Sequence, residues 1–374
     1  MRRAMICYLI LAVLFTACQT ATEKFPTKQE VLDKMVLTNQ YFMEKWPDTG
    51  KSIITNRERP SNIWTRAVYY EGLMELYKIK PDPAYLDYAV SWGEAHNWSL
   101  RDGMVTTRNA DNQCCGQTYI DLFKIETDSV RIHDIKASID SMMVTDKIDD
   151  WNWIDALQMA MPVFAKLTVL TGDTAYSERM YEMYMDTKVT QGLWNPEDGL
   201  WWRDKDFLPP YAEPNGEDCY WSRGNGWVVA ALVRVNDILP NDPHRDEYQS
   251  TLLQMLEALL PLQREDGFWN VSLHDPDHFG GKETSGTALF VYGMAWAVNN
   301  GLVDEAKYKP VIQKAWNGMS AEAVHENGFL GFLQGTGKEP KDGQPVSYTS
   351  MPDFEDYGLG CFLLAGSEVY QMAQ

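Results

Sequence analysis

Residues 149–162 read DDWNWIDALQMAMP. They set the carboxylate of Asp155 directly ahead of Ala156, Leu157, Met159, Ala160 and Met161, with Trp151 and Trp153 just before it. A charge in such company costs free energy unless it is paired, hydrogen-bonded or protonated. Asp155 is therefore either a charge favouring a helix N-terminus or an acid whose setting serves chemistry. Asp111, in NADNQCCGQTYIDLF, precedes a helix expected from near Gly116, a place where capping is an aspartate's ordinary duty. CYWSRGNGWVVAALV brackets a Gly-rich turn with Trp221, Arg223 and Trp227, and GGKETSGTALF sets Lys282, Glu283, Thr284 and Ser285 before another apolar run. Taken singly, the first reads as a plain turn and the second as a capping segment. Together these residues could do acid–base chemistry on a flat, anionic substrate. Burial against tryptophan and a second carboxylate would keep Asp155 protonated, against the pull of a helix terminus. Arg223 offers a bidentate fork for a carboxylate, and Trp153, Trp221 and Trp227 offer stacking faces.

The elements that must position them are helices. AVYYEGLMELYKI and GWVVAALVRVNDIL repeat apolar residues at helical spacing, while SGTALFVYGMAWAV and FLLAGSEVYQMA are apolar nearly all round, as inner helices are. Strand-like alternation is short and scarce, and PDPAY, TGDTAY and LPNDPH mark stops and restarts. A weak repeat, RDGM at Gly103, EDGLWW at Gly199, EDGFWN at Gly267 and ENGFL at Gly328, suggests units of about sixty residues. That length suits a helical hairpin with one long loop. Six such hairpins closing into an (α/α)6 barrel are expected over 25–374 as a single catalytic domain, with ligand bound where the inner helices begin.

A formal net charge of −20 makes nucleic acid and anionic membrane surfaces poor partners, and leaves a small substrate received by local Arg or Lys. The opening MRRAMICYLILAVLFTACQT reads as an export signal over 1–18, with FTAC resembling a lipobox whose Cys18 would carry a lipid; a periplasmic or membrane-anchored protein is expected. Cys114, Cys115, Cys219 and Cys361 form no CxxC pair and the six histidines are scattered, so no metal site is expected and the thiols read as buried and free, with export leaving room for one disulfide.

The segments WIDALQMAMPVFAKL, YWSRGNGWVVAALVRVNDILP, GKETSGTALFVYGMAWAVNNGL and YGLGCFLLAGSEVY, in this order, resemble those of the unsaturated rhamnogalacturonyl hydrolases, glycoside hydrolase family 105. The likeness runs from about residue 60 to the C-terminus. It implies an (α/α)6 barrel without a cofactor, acting on oligosaccharides that carry a 4,5-unsaturated uronic acid at the non-reducing end. By the same resemblance Asp155 is the general acid/base, Asp111 its partner, and Arg223 and Trp227 hold the unsaturated sugar. The chain departs from the pattern at Arg203 in GLWWRDKD, where the family often has His, and at Asn112, where a second acid often follows. Arg203 then becomes a second cation for the substrate carboxylate or a neighbouring sugar.

Three other readings stay in view. A glycosaminoglycan-type unsaturated glucuronyl hydrolase would share the mechanism with a different aglycone. A sugar epimerase would call for a histidine pair, for which only His274 and His278 lie near the motifs. A surface glycan-binding lipoprotein without catalysis would account for the fourteen tryptophans.

Overall fold

The computed structural model of the chain describes residues 24–374. The expected export segment and Cys18 lie outside the described residues. Helices alternate between an outer and an inner ring. The outer members are α1 (Lys28–Lys45), α3 (Pro83–Ala95), α6 (Val130–Met143), α8 (Ala175–Met185), α10 (Arg245–Leu259) and α12 (Glu305–Gly318). The inner members are α2 (Trp64–Ile79), α5 (Gly116–Ile125), α7 (Asp155–Thr171), α9 (Ser222–Ile238), α11 (Thr284–Asn299) and α13 (Asp356–Met372), and a single turn, α4 (Ala110–Gln113), precedes α5. The inner ring closes on itself: α2 packs on α5 and α13, α13 on α11, α11 on α9, α9 on α7, and α7 on α5 and α4. This is the expected (α/α)6 barrel.

Sequence pattern decides which ring a helix joins. In α10, Tyr248, Thr251, Leu252, Met255, Leu256 and Leu259 are buried, one stripe at three- and four-residue steps. In α11 every residue from Thr284 to Ala297 is buried, so no face is left for solvent. Close approach of inner helices needs small residues. A Cβ on Gly360 of α13 would lie 2.2 Å from the carbonyl oxygen of Val68 in α2.

The repeated glycines are turn positions between the barrel helices, Gly103 as the last residue of a short 3-10 turn. Gly103, Gly199, Gly267 and Gly328 all have positive φ, and a side chain on Gly267 would meet the carbonyl of Lys314 at 2.4 Å. Among the described residues sheet is confined to two antiparallel pairs, β1 (Ile53–Ile54) with β2 (Glu58–Arg59) and β3 (Trp194–Asn195) with β4 (Leu200–Trp201), the second in the register Trp194↔Trp201. Cys114, Cys115, Cys219 and Cys361 are buried free thiols. Among the described residues no helix is long and apolar enough to cross a membrane.

Candidate active site

The inner helices begin on one rim, and the acids sit there. Asp155 is the first residue of α7, whose N-cap, Ile154, makes no side-chain capping bond. Asp111 lies in the first turn of α4, and the capping duty falls instead to Asn109, whose side chain accepts from the backbone N–H of Asn112. Neither acid is spent on capping a helix. The chain after β4 returns along the approach to α7: the backbone N–H of Ile154 donates to the carbonyl of Arg203 at 3.0 Å, and Trp153 forms an antiparallel bridge with Asp204. This staple brings the guanidinium of Arg203 onto Asp155, Nε to Oδ2 at 3.1 Å, and onto Asp204, Nη1 to Oδ2 at 2.6 Å.

Electrostatics distinguish the two acids. Burial pushes the Asp111 carboxyl up to about 7, the negative charge of Asp155 pushes the same way, and Arg203 and Arg101 pull against both. Two carboxylates crowded into one poorly solvated place cannot both ionise cheaply, so the pair keeps a proton near neutrality. The carboxyl raised toward neutrality is Asp111, where the sequence pointed to Asp155. Arg203 remains a cation, because Asp155 and Asp204 more than offset the cost of its burial. Arg203 and Asp204 line a cleft of about 310 Å³ together with Asn152, Trp153, Gln191 and Lys338, and neither Asp111 nor Asp155 is among its lining residues.

Arg223 is placed differently from the sequence expectation. It is fully buried, and its fork is filled by backbone carbonyls: Nη1 donates to Gln334 at 3.1 Å and Nη2 to Gly335 at 2.8 Å. Its plane packs against Trp221 and Tyr357, 4.5 and 4.9 Å from the ring centroids. The cation in contact with Asp155 is Arg203. Trp221 donates through Nε1 to Gln334 Oε1 at 2.9 Å and is itself buried, so it holds the loop rather than offering a face.

Glu283 caps α11, accepting from the N–H groups of Ser285 and Gly286 and from Ser285 Oγ, and also accepts from the N–H of Gln334. Thr284 Oγ1 donates to the carbonyl of Gly331. Glu283, Thr284 and Ser285 are all fully buried. Lys282 pairs with Glu322 and lies over Phe268 and Phe332, and no contact joins it to Asp111, Asp155 or Arg203. The structure therefore gathers Asp111, Asp155, Arg203 and Trp153. It gathers Arg223, Trp221, Glu283 and Ser285 into a supporting network behind them, centred on Gln334.

Trp227 is buried at the mouth of the barrel, edge-on to Trp64 at 6.2 Å and to Tyr357 at 6.5 Å, and its Nε1 has no hydrogen-bond partner among the described residues. Trp64, half-buried at the start of α2, was missed in the sequence although it heads its inner helix much as Trp153 precedes α7. Gln334 was missed because a lone amide in FLQGTG carries no periodic signal.

Among the described residues one group of ligand-type side chains converges, Glu213, Asp275 and His278, with one ligand atom each within 4.8 Å of the others. Its oxygens already serve Ser272 Oγ, His278 Nδ1 and the N–H groups of Asn215, Asp277 and His278, which makes it a satisfied knot between two loops.

A family model for Glycosyl Hydrolase Family 88 matches residues 34–373. The chain belongs to this family. It is a glycoside hydrolase, and the matched span contains both acids, Arg203 and the network behind them. An unsaturated 3S-rhamnoglycuronyl hydrolase of Formosa agariphila is 32% identical over 334 residues, 83% of this chain and 85% of that protein. The solved family 88 glycosyl hydrolase from Bacteroides vulgatus superposes with a TM-score of 0.84 at 32% identity, covering 92% of this chain and 99% of that one. A solved chain described as a polysaccharide lyase superposes equally well, TM-score 0.84 at 33% identity over 92% of this chain and 98% of its own. The motif resemblance thus holds for family and fold.

Proposed function

We infer that this family 88 chain is an exported enzyme that removes a 4,5-unsaturated uronic acid from the non-reducing end of oligosaccharides left by a polysaccharide lyase. The observation that carries the reading is the acid pair Asp111 and Asp155, one proton between them near neutrality, in contact with Arg203, which lines an open cleft. The name of the Formosa agariphila relative supports the unsaturated glycuronyl class of substrate.

The chemistry follows from the substrate's C4=C5 bond, a vinyl ether conjugated to the C6 carboxylate. A proton from Asp155 goes to C4, the π pair forms the new C4–H bond, and positive charge develops at C5, shared with the ring oxygen. Water adds to C5 and gives its proton to the Asp155 carboxylate, restoring the acid. The resulting C5 hemiketal opens by breaking its bond to the ring oxygen. C1 is left as a hemiacetal, which expels the aglycone alcohol. One molecule of water is consumed, and no bond from protein to sugar forms. Carboxylate separation carries no stereochemical message here, because the anomeric carbon is not attacked. Asp111 keeps the proton in the pair and helps to orient the water. Arg203 receives the uronate carboxylate, and Trp153, which lines the cleft with it, shapes the sugar's seat. Export through residues 1–18, with a lipid on Cys18 or simple cleavage, belongs to the same proposal. It puts the enzyme where lyase products are made.

A second reading comes from the polysaccharide lyase among the solved neighbours. Absorbance of the conjugated double bond separates the two by sign. Hydration of unsaturated disaccharides makes it fall, and lyase action on an intact uronate polysaccharide makes it rise. Loss of absorbance with wild-type protein and none with Asp155→Asn supports the hydrolase; a rise on polymer with no fall on any disaccharide overturns it. A panel of galacturonate- and glucuronate-derived disaccharides also identifies the aglycone.

A further inference from the structure

The inference concerns Arg203 and rests on the unsaturated-uronate reading. We propose that Arg203 is a latch worked by the substrate: in the free enzyme it holds Asp155 as a carboxylate, and on binding it shifts to the substrate's C6 carboxylate, freeing Asp155 to take up the pair's proton and become the acid.

The geometry supplies each part. The latch is anchored through its backbone by Ile154 and by the Trp153–Asp204 bridge, so only its side chain needs to move relative to α7. Its anchor among side chains is Asp204, bound at 2.6 Å and steadied by the N–H of Asp206 on its other oxygen. Its hold on Asp155 is the longer single contact, 3.1 Å through Nε, and Nη2 makes no hydrogen bond to a described residue. The side chain is 20% exposed and lines the cleft.

An arginine ion pair is made by a carboxylate, not by a carboxylic acid. Asp155 therefore cannot donate while the latch is on it. A substrate carboxylate arriving at Nη2 sets a third anion on one guanidinium, and the longest of its bonds is the one to yield. The remaining charges around the pair do not replace Arg203. Arg101 acts on Asp111, Lys338 is paired with Asp206 at 3.2 Å, and Lys205 is exposed at the outer end of the cleft. The device has a purpose: proton transfer is tied to a bound uronate, so neutral sugars in the cleft do not meet an armed acid.

The test compares an unsaturated uronyl disaccharide with its C6 methyl ester, which keeps the double bond but loses the charge. Wild type and Arg203→Gln are followed by loss of absorbance across pH. Wild type should prefer the free acid by about 100-fold in kcat/KM, and the preference should shrink to within about tenfold in Arg203→Gln, chiefly through a raised KM for the acid. The alkaline limb of the kcat/KM profile should also move up by about one pH unit, since the cation opposing the acid pair has gone. Equal loss on both substrates with unmoved pH midpoints would show a loop prop and overturn the latch. Should Arg203→Gln not fold, Arg203→Lys and Asp204→Asn decide by the same ratio: a preference for the free acid unchanged from wild type in both overturns the proposal, and a reduced one supports it. Wild type inert on every unsaturated uronide would instead sink the underlying reading, a result separate from failure of the latch.

Discussion

Two clusters of charge sit inside this barrel, and they are built on opposite rules. Midway down its interior, Glu71 of α2 accepts from Gln158 of α7 at 2.7 Å and faces Arg234 of α9 at 3.8 Å, while Lys166 of α7 binds Asp121 of α5 at 2.5 Å. There the acids and the cations match one for one, and Glu71, Arg234 and Lys166 are closed off from solvent. At the rim, Asp111, Asp155 and Asp204 outnumber the cations that act on them, Arg203 in direct contact with the last two and Arg101 acting on the first, and Arg203 and Asp204 open on a cleft. Balanced and closed, a buried charge cluster specifies how helices pack. Unbalanced toward acid and open to a ligand, it retains a proton where an enzyme needs one. Composition alone does not separate the two. The ratio of acids to cations and the access of a substrate do.

The contrast is tested most strongly at Asp155. Asp155→Asn should lower kcat by about 10⁴-fold, because one residue both gives and takes the proton, while the melting temperature stays within a few degrees of wild type. A loss of activity that tracked a loss of folded protein would mean the rim is structural after all. Glu71→Ala should do the reverse. Removing one partner of a buried pair leaves Arg234 uncompensated, so unfolding free energy should fall by about 3–5 kcal/mol. The protein that stays folded should retain its kcat. Denaturant melts and single-turnover rates on the same preparations measure both.

How far this was legible in the sequence depends on the distance over which each feature is encoded. The inner helices were readable because Thr284–Ala297 and the run after Asp155 are apolar on every side, a property of neighbouring residues. Asp155 itself was readable for the same reason, as a charge breaking an apolar run. Arg203 was visible as an oddity, but its contact with Asp155 spans 48 residues and is made by a loop docking edge to edge, for which no local pattern exists. Arg223 looked like a free fork because its partners are backbone carbonyls of Gln334 and Gly335, which no side-chain motif reveals. The proton was assigned to Asp155, whereas the raised group is Asp111. Burial at that position comes from the way α4 tucks against α7 and α2, a matter of tertiary packing.

A smaller effect than either is expected at Asp111. Asp111→Asn should lower kcat by about 10²-fold, as loss of a residue that maintains the pair's proton rather than delivering it. Wild type should lose activity as pH rises through about 7, where Asp111 ionises and the pair is left without a proton. In Asp111→Asn that limb of the kcat/KM profile should disappear from this range. An unchanged alkaline limb in the variant would assign the ionisation to another group.

The smallest effect has the opposite sign and bears on the rim as a strained place. Asp111 carries a raised folded-state value, so between about 4 and 7 the native state binds more protons than the unfolded chain. Stability from this group is complete below the unfolded value and is lost as pH rises through about 7. At pH 8 the buried carboxylate is therefore a net cost in wild type, and asparagine removes it. Asp111→Asn should melt a few degrees higher than wild type at pH 8, about 1–2 kcal/mol after allowing for partial exposure, and no higher at pH 4, where the wild-type carboxyl is already largely neutral in the native state. In the interior burial also pushes Glu71 up, but Arg234 and Lys166 pull it back, so Glu71→Gln takes away the partner of Arg234 wherever Glu71 is ionised. Stabilisation at the rim together with destabilisation in the interior is the pattern expected if the interior acids are offset by facing cations and the rim acids are not. A variant at Asp111 that melted lower at pH 8 would place both clusters under the same structural rule.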